Sequence, residues 1–227
     1  MISDAPLKVA FRNFFRNKMV NLSARSIKHF LPNAEIHCFT LFKESMKEYS
    51  EQEKLLPYIV EHRLQTKYVN PNKEAVQDHL DSTKTSGYAN PDNGLYFAEG
   101  FNLIYDYFKG LNEPIVILAE DHFFTTGKVL AELVENDYDV AIAPGDSDTT
   151  ANGALIVINP HKVAGFFPVA EYKVPIEALI RDTVMNNVPI DRLYRIKNRK
   201  WIDYCGDGVY TNSSEEMVAE LQKAGII

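Results

Sequence analysis

The segment Pro114–Ala119 (PIVILA) constrains the fold of this chain more than any other segment. It is apolar along its whole length but too short for a typical buried helix, so it predicts a buried strand. A strand that is apolar on both sides needs cover on both faces of its sheet, and helices normally supply that cover. PIVILA therefore predicts a central strand of an α/β sheet.

The rest of the chain alternates between short apolar runs and longer segments with helical spacing. We predict a single α/β domain over residues 1–227, built on an open, mostly parallel twisted sheet with helices on both faces. Between these elements, Val69–Asn93 contains Asn-Pro twice and is predicted as a turn-rich connection. Strands are predicted at Leu7–Phe11, Ala34–Phe42, Tyr58–Leu64, Pro114–Ala119, Asp139–Ala143 and Gly153–Ile158, and helices at Met19–Phe30, Leu95–Phe108, Gly127–Asn136, Val174–Asn187 and from Ser213 or Ser214 to Lys223.

Charge and cysteine content limit the functional classes. The chain carries 31 acidic and 24 basic residues, a formal net charge of -7, which argues against nucleic acid as the main partner. No apolar run approaches the roughly 20 residues that a membrane span needs, and the amino-terminal residues lack the pattern of a signal peptide. Two cysteines, Cys38 and Cys205, do not make a disulfide framework, and Cys38 lies in an apolar run. We therefore expect a cytoplasmic protein with a buried thiol at Cys38.

Three polar residues, Glu120, Asp121 and His122, directly follow PIVILA. In open α/β sheets, ligands bind outside the carboxyl ends of the strands, and carboxylates there can hold a divalent cation that bridges to a diphosphate. The plainer interpretation is a solvated turn before a helix, stabilised by the helix dipole. Arg12 and Arg16, after the first strand, suit a diphosphate or a solvated face equally well.

The order of these features resembles that of the GT-A glycosyltransferases. A first strand is followed by Arg12-Asn13 and a helix, and an aromatic helix precedes the strand that ends in acids. A later strand ends in Ile158-Asn159-Pro160. The resemblance covers nearly the whole chain in order, although each motif is short.

The resemblance implies sugar transfer from a nucleoside diphosphate sugar to a glycan or other hydroxyl acceptor, assisted by Mn²⁺ or Mg²⁺. The family motif is Asp-x-Asp, and this chain has Glu-Asp-His, so the metal ligands implied are Asp121 and His122. An imidazole suits softer metals better than Mg²⁺, which puts the metal role of His122 in question. The donor-binding residues implied are Arg12, Asn13, Arg16, Glu120, Asp121 and Asp207.

An inverting transferase also needs a base for the acceptor hydroxyl. The resemblance points to Glu177, near the start of the predicted helix Val174–Asn187, with Asp182 as the second candidate. The plainer interpretation of Glu177 is an acid that stabilises a helix amino terminus. Asp146 and Asp148 form a true Asp-x-Asp and are a rival metal site, although such a polar cluster is more often a turn.

The predicted aromatic helix Leu95–Phe108 carries a stripe of rings. These rings could stack on a base or a sugar, but at helical spacing such a stripe is more often part of the core. The stripe consists of Tyr96, Phe97, Phe101, Tyr105 and Phe108.

Two other functions fit the same pattern. A nucleotidyltransferase uses a similar sheet, but the loop FRNFFRNK after the first strand lacks the glycines of that class. A non-catalytic sugar- or protein-binding domain with a degenerate metal site is the other alternative, and the Glu-Asp-His triplet is its best support.

Overall fold

The computed structural model describes residues 7–13, 16–42, 53–65, 91–144, 151–163, 188–197 and 214–227. Every predicted strand is found, and so are the predicted helices within these ranges, except that residues 53–56 of the charged stretch Lys43–Leu56, also predicted as helical, are not helical. The predicted helix Val174–Asn187 lies outside the described ranges. The elements are β1 (Lys8–Asn13), α1 (Asn17–Phe30), β2 (Glu35–Phe42), β3 (Ile59–Gln65), α2 (Pro91–Phe108), β4 (Ile115–Ala119), α3 (Lys128–Glu135), β5 (Val140–Pro144), β6 (Ala151–Ile158), β7 (Leu193–Arg195) and α4 (Ser214–Lys223).

The described strands form one 7-stranded sheet in the order β3-β2-β1-β4-β6-β5-β7. PIVILA is therefore the central strand, as predicted, and β1 is its neighbour. β1 pairs in parallel with β2 and β4, β2 with β3, and β5 with β7. β6 is antiparallel to both β4 and β5, so the sheet is mixed but mostly parallel.

Because β6 is antiparallel to its neighbours, it ends at the edge of the sheet where β4 and β5 begin. Ile158, at its carboxyl end, pairs with Ile115 at the start of β4, while Pro144 at the end of β5 pairs with Ala151 at the start of β6. The chain therefore leaves β6 at the edge opposite to Glu120. A strand that is apolar on both faces gives the same sequence pattern in either direction.

Helices cover both faces of the sheet, as predicted. On one face, α1 and α3 contribute Val20, Ala24 and Leu130 to a core that includes Val9 and Phe11 of β1. On the other face, α2 contributes further apolar side chains that pack against the strands. These are Phe101, Ile104 and Phe108, which pack with Ala10, Phe39, Ile117 and Ile156.

The rings of α2 that are described support the core interpretation. Phe101 and Phe108 are buried, and the Tyr105 hydroxyl donates a hydrogen bond to the Val163 carbonyl at 2.7 Å. The helix begins at Pro91, four residues before the predicted start at Leu95. Proline is favoured in the first turn of a helix because its missing N–H is not needed there. Residues Pro91–Asn93, which were predicted as the end of a turn-rich connection, therefore belong to the first turn of α2.

A histidine pair lies between β2 and β3, on the face covered by α2. Nδ1 of His37 is 3.1 Å from Nε2 of His62, and the two rings are nearly parallel, at 14°. Burial lowers the pKa of both imidazoles, and the mutual charge of the pair lowers the pKa of His37 further. Glu35, 4.0 Å from Nε2 of His37, and Lys8, which bonds to Glu35 and Glu113, are the charged neighbours among the described residues.

Candidate functional site

The carboxyl ends of β1 and β4 meet at one edge of the sheet. Arg12 pairs with Ala119 in the parallel register, so Asn13 and Glu120 are the next residues of each strand at that edge. β4 ends in a tight turn, in which the His122 N–H donates to the Ala119 carbonyl at 3.2 Å. The predicted position of Glu120, Asp121 and His122 at this edge is confirmed. Strand β1 runs on through Asn13, so Arg12 and Asn13 lie in the strand rather than in the loop after it.

The Asn13 side chain ties three elements together at this edge. Its Nδ2 donates to Oδ1 of Asn17 at 2.7 Å and to the Thr40 hydroxyl at 3.0 Å. Its Oδ1 accepts a hydrogen bond from the backbone N–H of Arg16 at 3.0 Å. Because all of these groups are buried, Asn13 fixes the backbone of Arg16, at the start of α1, relative to β1 and β2.

Arg12 points to the face covered by α2. Its guanidinium carbon is 4.3 Å from the centre of the Phe101 ring, and the residue is 9% exposed. A cation over an aromatic face is attracted by the ring's quadrupole, and the attraction grows when water is excluded. A member of the aromatic stripe therefore holds one of the predicted donor-binding arginines in place.

Arg16, Asp121 and His122 form a buried charged group. Nδ1 of His122 lies 2.8 Å from Oδ1 of Asp121, and a guanidinium nitrogen of Arg16 lies 3.9 Å from Oδ2. Burial alone raises the pKa of the Asp121 carboxyl, but His122 and Arg16 outweigh it and the pKa is lowered. Asp121 is therefore a carboxylate that only accepts hydrogen bonds, and His122 donates to it through Nδ1.

Helix α1 anchors the chain that follows β4. The Ser23 hydroxyl donates to the His122 carbonyl. The Ser26 hydroxyl accepts from the Phe124 N–H at 3.1 Å and donates to the Ser23 carbonyl at 2.7 Å. These serines were not predicted as site residues, although two polar residues on the buried side of an amphipathic helix are a signal that partners lie elsewhere.

Two asparagines of the same helix hold the segment before β3. Nδ2 of Asn17 donates to the Glu53 carbonyl at 2.7 Å. Asn21 donates to the Lys54 carbonyl and accepts from the Leu56 N–H, both at 2.9 Å. Asn17 and Asn21 are four residues apart and therefore lie on one side of the helix. Sequence analysis missed both of these residues as well.

The described residues do not fit a divalent-cation centre at the Glu-Asp-His triplet. Oδ1 of Asp121 faces the imidazole and Oδ2 faces a guanidinium, so a protein cation already lies beside this carboxylate. The His122 side chain is 0% exposed, and its Nδ1 is used by Asp121. Within the described ranges, no three His, Cys, Asp or Glu residues are grouped to hold a metal ion.

Several predicted site residues lie outside the described residues. They are the base candidates Glu177 and Asp182, the donor candidate Asp207, and the rival pair Asp146 and Asp148. β6 ends at the edge opposite to Asp121, so the direction of this strand does not by itself support a place for Glu177 or Asp182 beside Asp121. Their roles stay predictions.

None of the helices in the described parts of the chain combines the length and the apolar character needed to cross a membrane. The predicted buried thiol at Cys38 is confirmed, and burial raises its pKa to about 12.

Comparison with known proteins identifies the type of fold. No protein-family model matches the chain, and no curated protein matches it. Among solved structures, it is similar to the inositol-1-phosphate CTP transferase from T. maritima, with 9% identity, a TM-score of 0.54 and 97% of this chain aligned to 96% of the other. The chain has a GT-A-like fold. The resemblance found in the sequence is confirmed at that level.

Two glycosyltransferases show a weaker likeness. The galactosyltransferase LgtC, in complex with donor and acceptor sugar analogues, has 11% identity, a TM-score of 0.46 and coverage of 83% of this chain and 73% of the other. The glycosyltransferase GlyE of Streptococcus pneumoniae TIGR4 has 12% identity, a TM-score of 0.43 and coverage of 86% of this chain, which spans 46% of GlyE. At such TM-scores and identities the likeness carries no argument, and the reaction has to be argued from the site.

Proposed function

We propose that the chain is a glycosyltransferase that moves a sugar from a nucleoside diphosphate sugar to a hydroxyl acceptor. The observation that carries this proposal is that Arg12, near the end of β1, and Arg16, directly before α1, both lie at the carboxyl edge of the central strands. Both are at least nine-tenths buried, in a protein whose formal net charge is -7. Buried guanidinium groups at this edge suit an anionic ligand such as a diphosphate.

The chemistry that these residues support is stabilisation of the leaving diphosphate. As the bond between sugar and diphosphate breaks, negative charge grows on the phosphate oxygens. Fixed positive groups in a water-poor site stabilise that charge without having to reorganise. The acceptor hydroxyl must lose its proton to a base, for which Glu177 and Asp182 remain the candidates.

The proposal is tested by calorimetry with UDP-sugars and GDP-sugars, followed by an assay for released nucleoside diphosphate. A transferase binds at least one donor and releases its diphosphate, slowly with water and faster with an acceptor. The non-catalytic alternative predicts that no diphosphate is released from any donor.

The base is tested by Glu177→Gln, which keeps the shape of the side chain but cannot take the proton. A general base contributes about 10²–10⁴-fold, so turnover falls by that factor while donor affinity stays close to wild type. Asp182→Asn is the matched variant. Near wild-type turnover in Glu177→Gln, with loss in Asp182→Asn, would move the role to Asp182.

Nucleotidyl transfer is the second candidate, and the similarity to a CTP transferase over 97% of this chain favours it. Such an enzyme would join a nucleoside triphosphate to a sugar phosphate and release pyrophosphate. Against it stands the segment FRNFFRNK, from the end of β1 to the start of α1, in which no glycine lets the backbone approach a triphosphate closely. Pyrophosphate release from a panel of triphosphates and sugar phosphates separates the two reactions.

A further inference from the structure

Arg16 places a positive charge beside Asp121, the carboxylate for which the resemblance implies a divalent cation. The guanidinium is 3.9 Å from Oδ2 of Asp121, longer than the roughly 2.7–2.9 Å of a charge-assisted hydrogen bond. Asp121 therefore orients the guanidinium by its charge, and no tight bidentate pair joins the two side chains.

Buried hydrogen bonds fix the position of Asp121. The His122 imidazole, 0% exposed, donates to Oδ1, and the His122 carbonyl accepts from the Ser23 hydroxyl of α1. The backbone of Arg16 is fixed separately, by Asn13. Buried hydrogen bonds therefore hold both the Asp121 carboxylate and the Arg16 backbone in place. A preorganised binding site requires such fixed groups.

We propose that Arg16, oriented by Asp121 and His122, binds the donor diphosphate directly, so that donor binding needs no divalent cation. This inference rests on the proposed function. The Arg16 guanidinium supplies a fixed positive charge at this edge, and its planar N–H groups match phosphate oxygens. Asp121 and His122 are positioning residues in this arrangement, because His122 is enclosed and Asp121 acts through Arg16.

The first test needs no variant. UDP, GDP, ADP, CDP and dTDP are titrated into the wild-type protein by calorimetry, once with EDTA and once with Mn²⁺ or Mg²⁺. We expect one of these nucleotides to bind with the same Kd in both conditions, within the error of the titration. Binding seen only with a divalent cation would overturn the inference and leave the proposed function standing. Binding of none of these nucleotides, with or without metal, would refute the proposed function itself.

The second test assigns the binding to Arg16. Arg16→Ala should weaken nucleotide binding in EDTA by about 30-fold or more, as expected for truncation of a buried charge partner. Arg16→Lys keeps the charge without the planar fork and should give an intermediate loss. Arg25→Ala, an exposed arginine on the same helix, is the matched control and should bind like wild type. Equal affinity of wild type and Arg16→Ala would overturn the assignment, provided that both melt cooperatively.

Asp121→Asn separates a positioning role from a metal-ligand role. A positioning residue predicts the same fold-loss of nucleotide affinity in EDTA and in Mn²⁺, because it acts through Arg16 in both. A metal ligand predicts a loss in Mn²⁺ alone, and that result would contradict the inference.

Discussion

Asn13 offers the sharpest test of how the site is held in place. Asn13→Ala removes three buried hydrogen bonds and leaves the Arg16 N–H, Oδ1 of Asn17 and the Thr40 hydroxyl without this partner. Each buried polar group left unsatisfied costs about 1–3 kcal/mol, and such costs are not fully additive. We expect a loss of about 3–5 kcal/mol in the free energy of unfolding.

Asn13→Asp refines the test because it keeps the shape. Its carboxylate can still accept from the Arg16 N–H, and the Thr40 hydroxyl can rotate to donate. Asn17 cannot adapt in this way, because its Nδ2 is already used by the Glu53 carbonyl and its Oδ1 therefore faces the new carboxylate. One hydrogen bond becomes an oxygen–oxygen repulsion, so Asn13→Asp should be destabilised by about 1–3 kcal/mol.

Urea denaturation at neutral pH measures both losses. The control is Asn136→Ala, at an exposed asparagine directly after α3 that donates to the Glu132 carbonyl of that helix, and it should change stability by less than about 0.5 kcal/mol. If Asn13→Ala unfolded at the same urea concentration as Asn136→Ala, the hydrogen-bond network around Asn13 would not hold the site together.

Three further outcomes follow from the structure. A double-mutant cycle of Arg12→Met and Phe101→Leu, measured by urea denaturation, should give a coupling of about 0.5–2 kcal/mol, and additivity would argue against the cation–π contact. His37 and His62 have lowered pKa values, so the stability they contribute is complete above their unfolded pKa of about 6.5 and is lost as the pH falls below it. That decline should flatten in His62→Gln, and an equal decline in both proteins would remove the pair as its cause. The Cys38 thiol, with a pKa raised to about 12, should react with a thiol reagent only after unfolding, and rapid reaction of a Cys205→Ser variant in native buffer would contradict its burial.

The central strands could be predicted because the signal lies within the segments themselves. PIVILA is apolar on both faces, and parallel strands bring their carboxyl ends to one edge, which is how the position of Glu120 to His122 was foreseen. The length of β1 could not be predicted so well. Arg12 and Asn13 look like loop residues until their partners, Phe101 and Thr40, are known, and both are far away in the sequence.

The roles of the site residues were harder to predict than their location. Sequence patterns identify carboxylates at a sheet edge, but they do not reveal which cation lies beside each one. Asp121 was predicted to share a metal with His122, and in the described structure it accepts a hydrogen bond from His122 and faces Arg16. This pairing depends on the angle at which α1 leaves β1, which buried hydrogen bonds between distant residues determine.

Helix α1 is the element through which those long-range bonds act. At its start, Asn17 contacts both β1 and the segment before β3, and six residues later Ser23 begins the contact with the chain after β4. Its outer surface packs through Met19 against Met217 of α4. A rotation of α1 would break bonds on each of these sides at once, so its orientation is determined by several independent partners. Arg16 directly precedes this helix, and its backbone position therefore depends on the sheet edge as a whole rather than on any single neighbour.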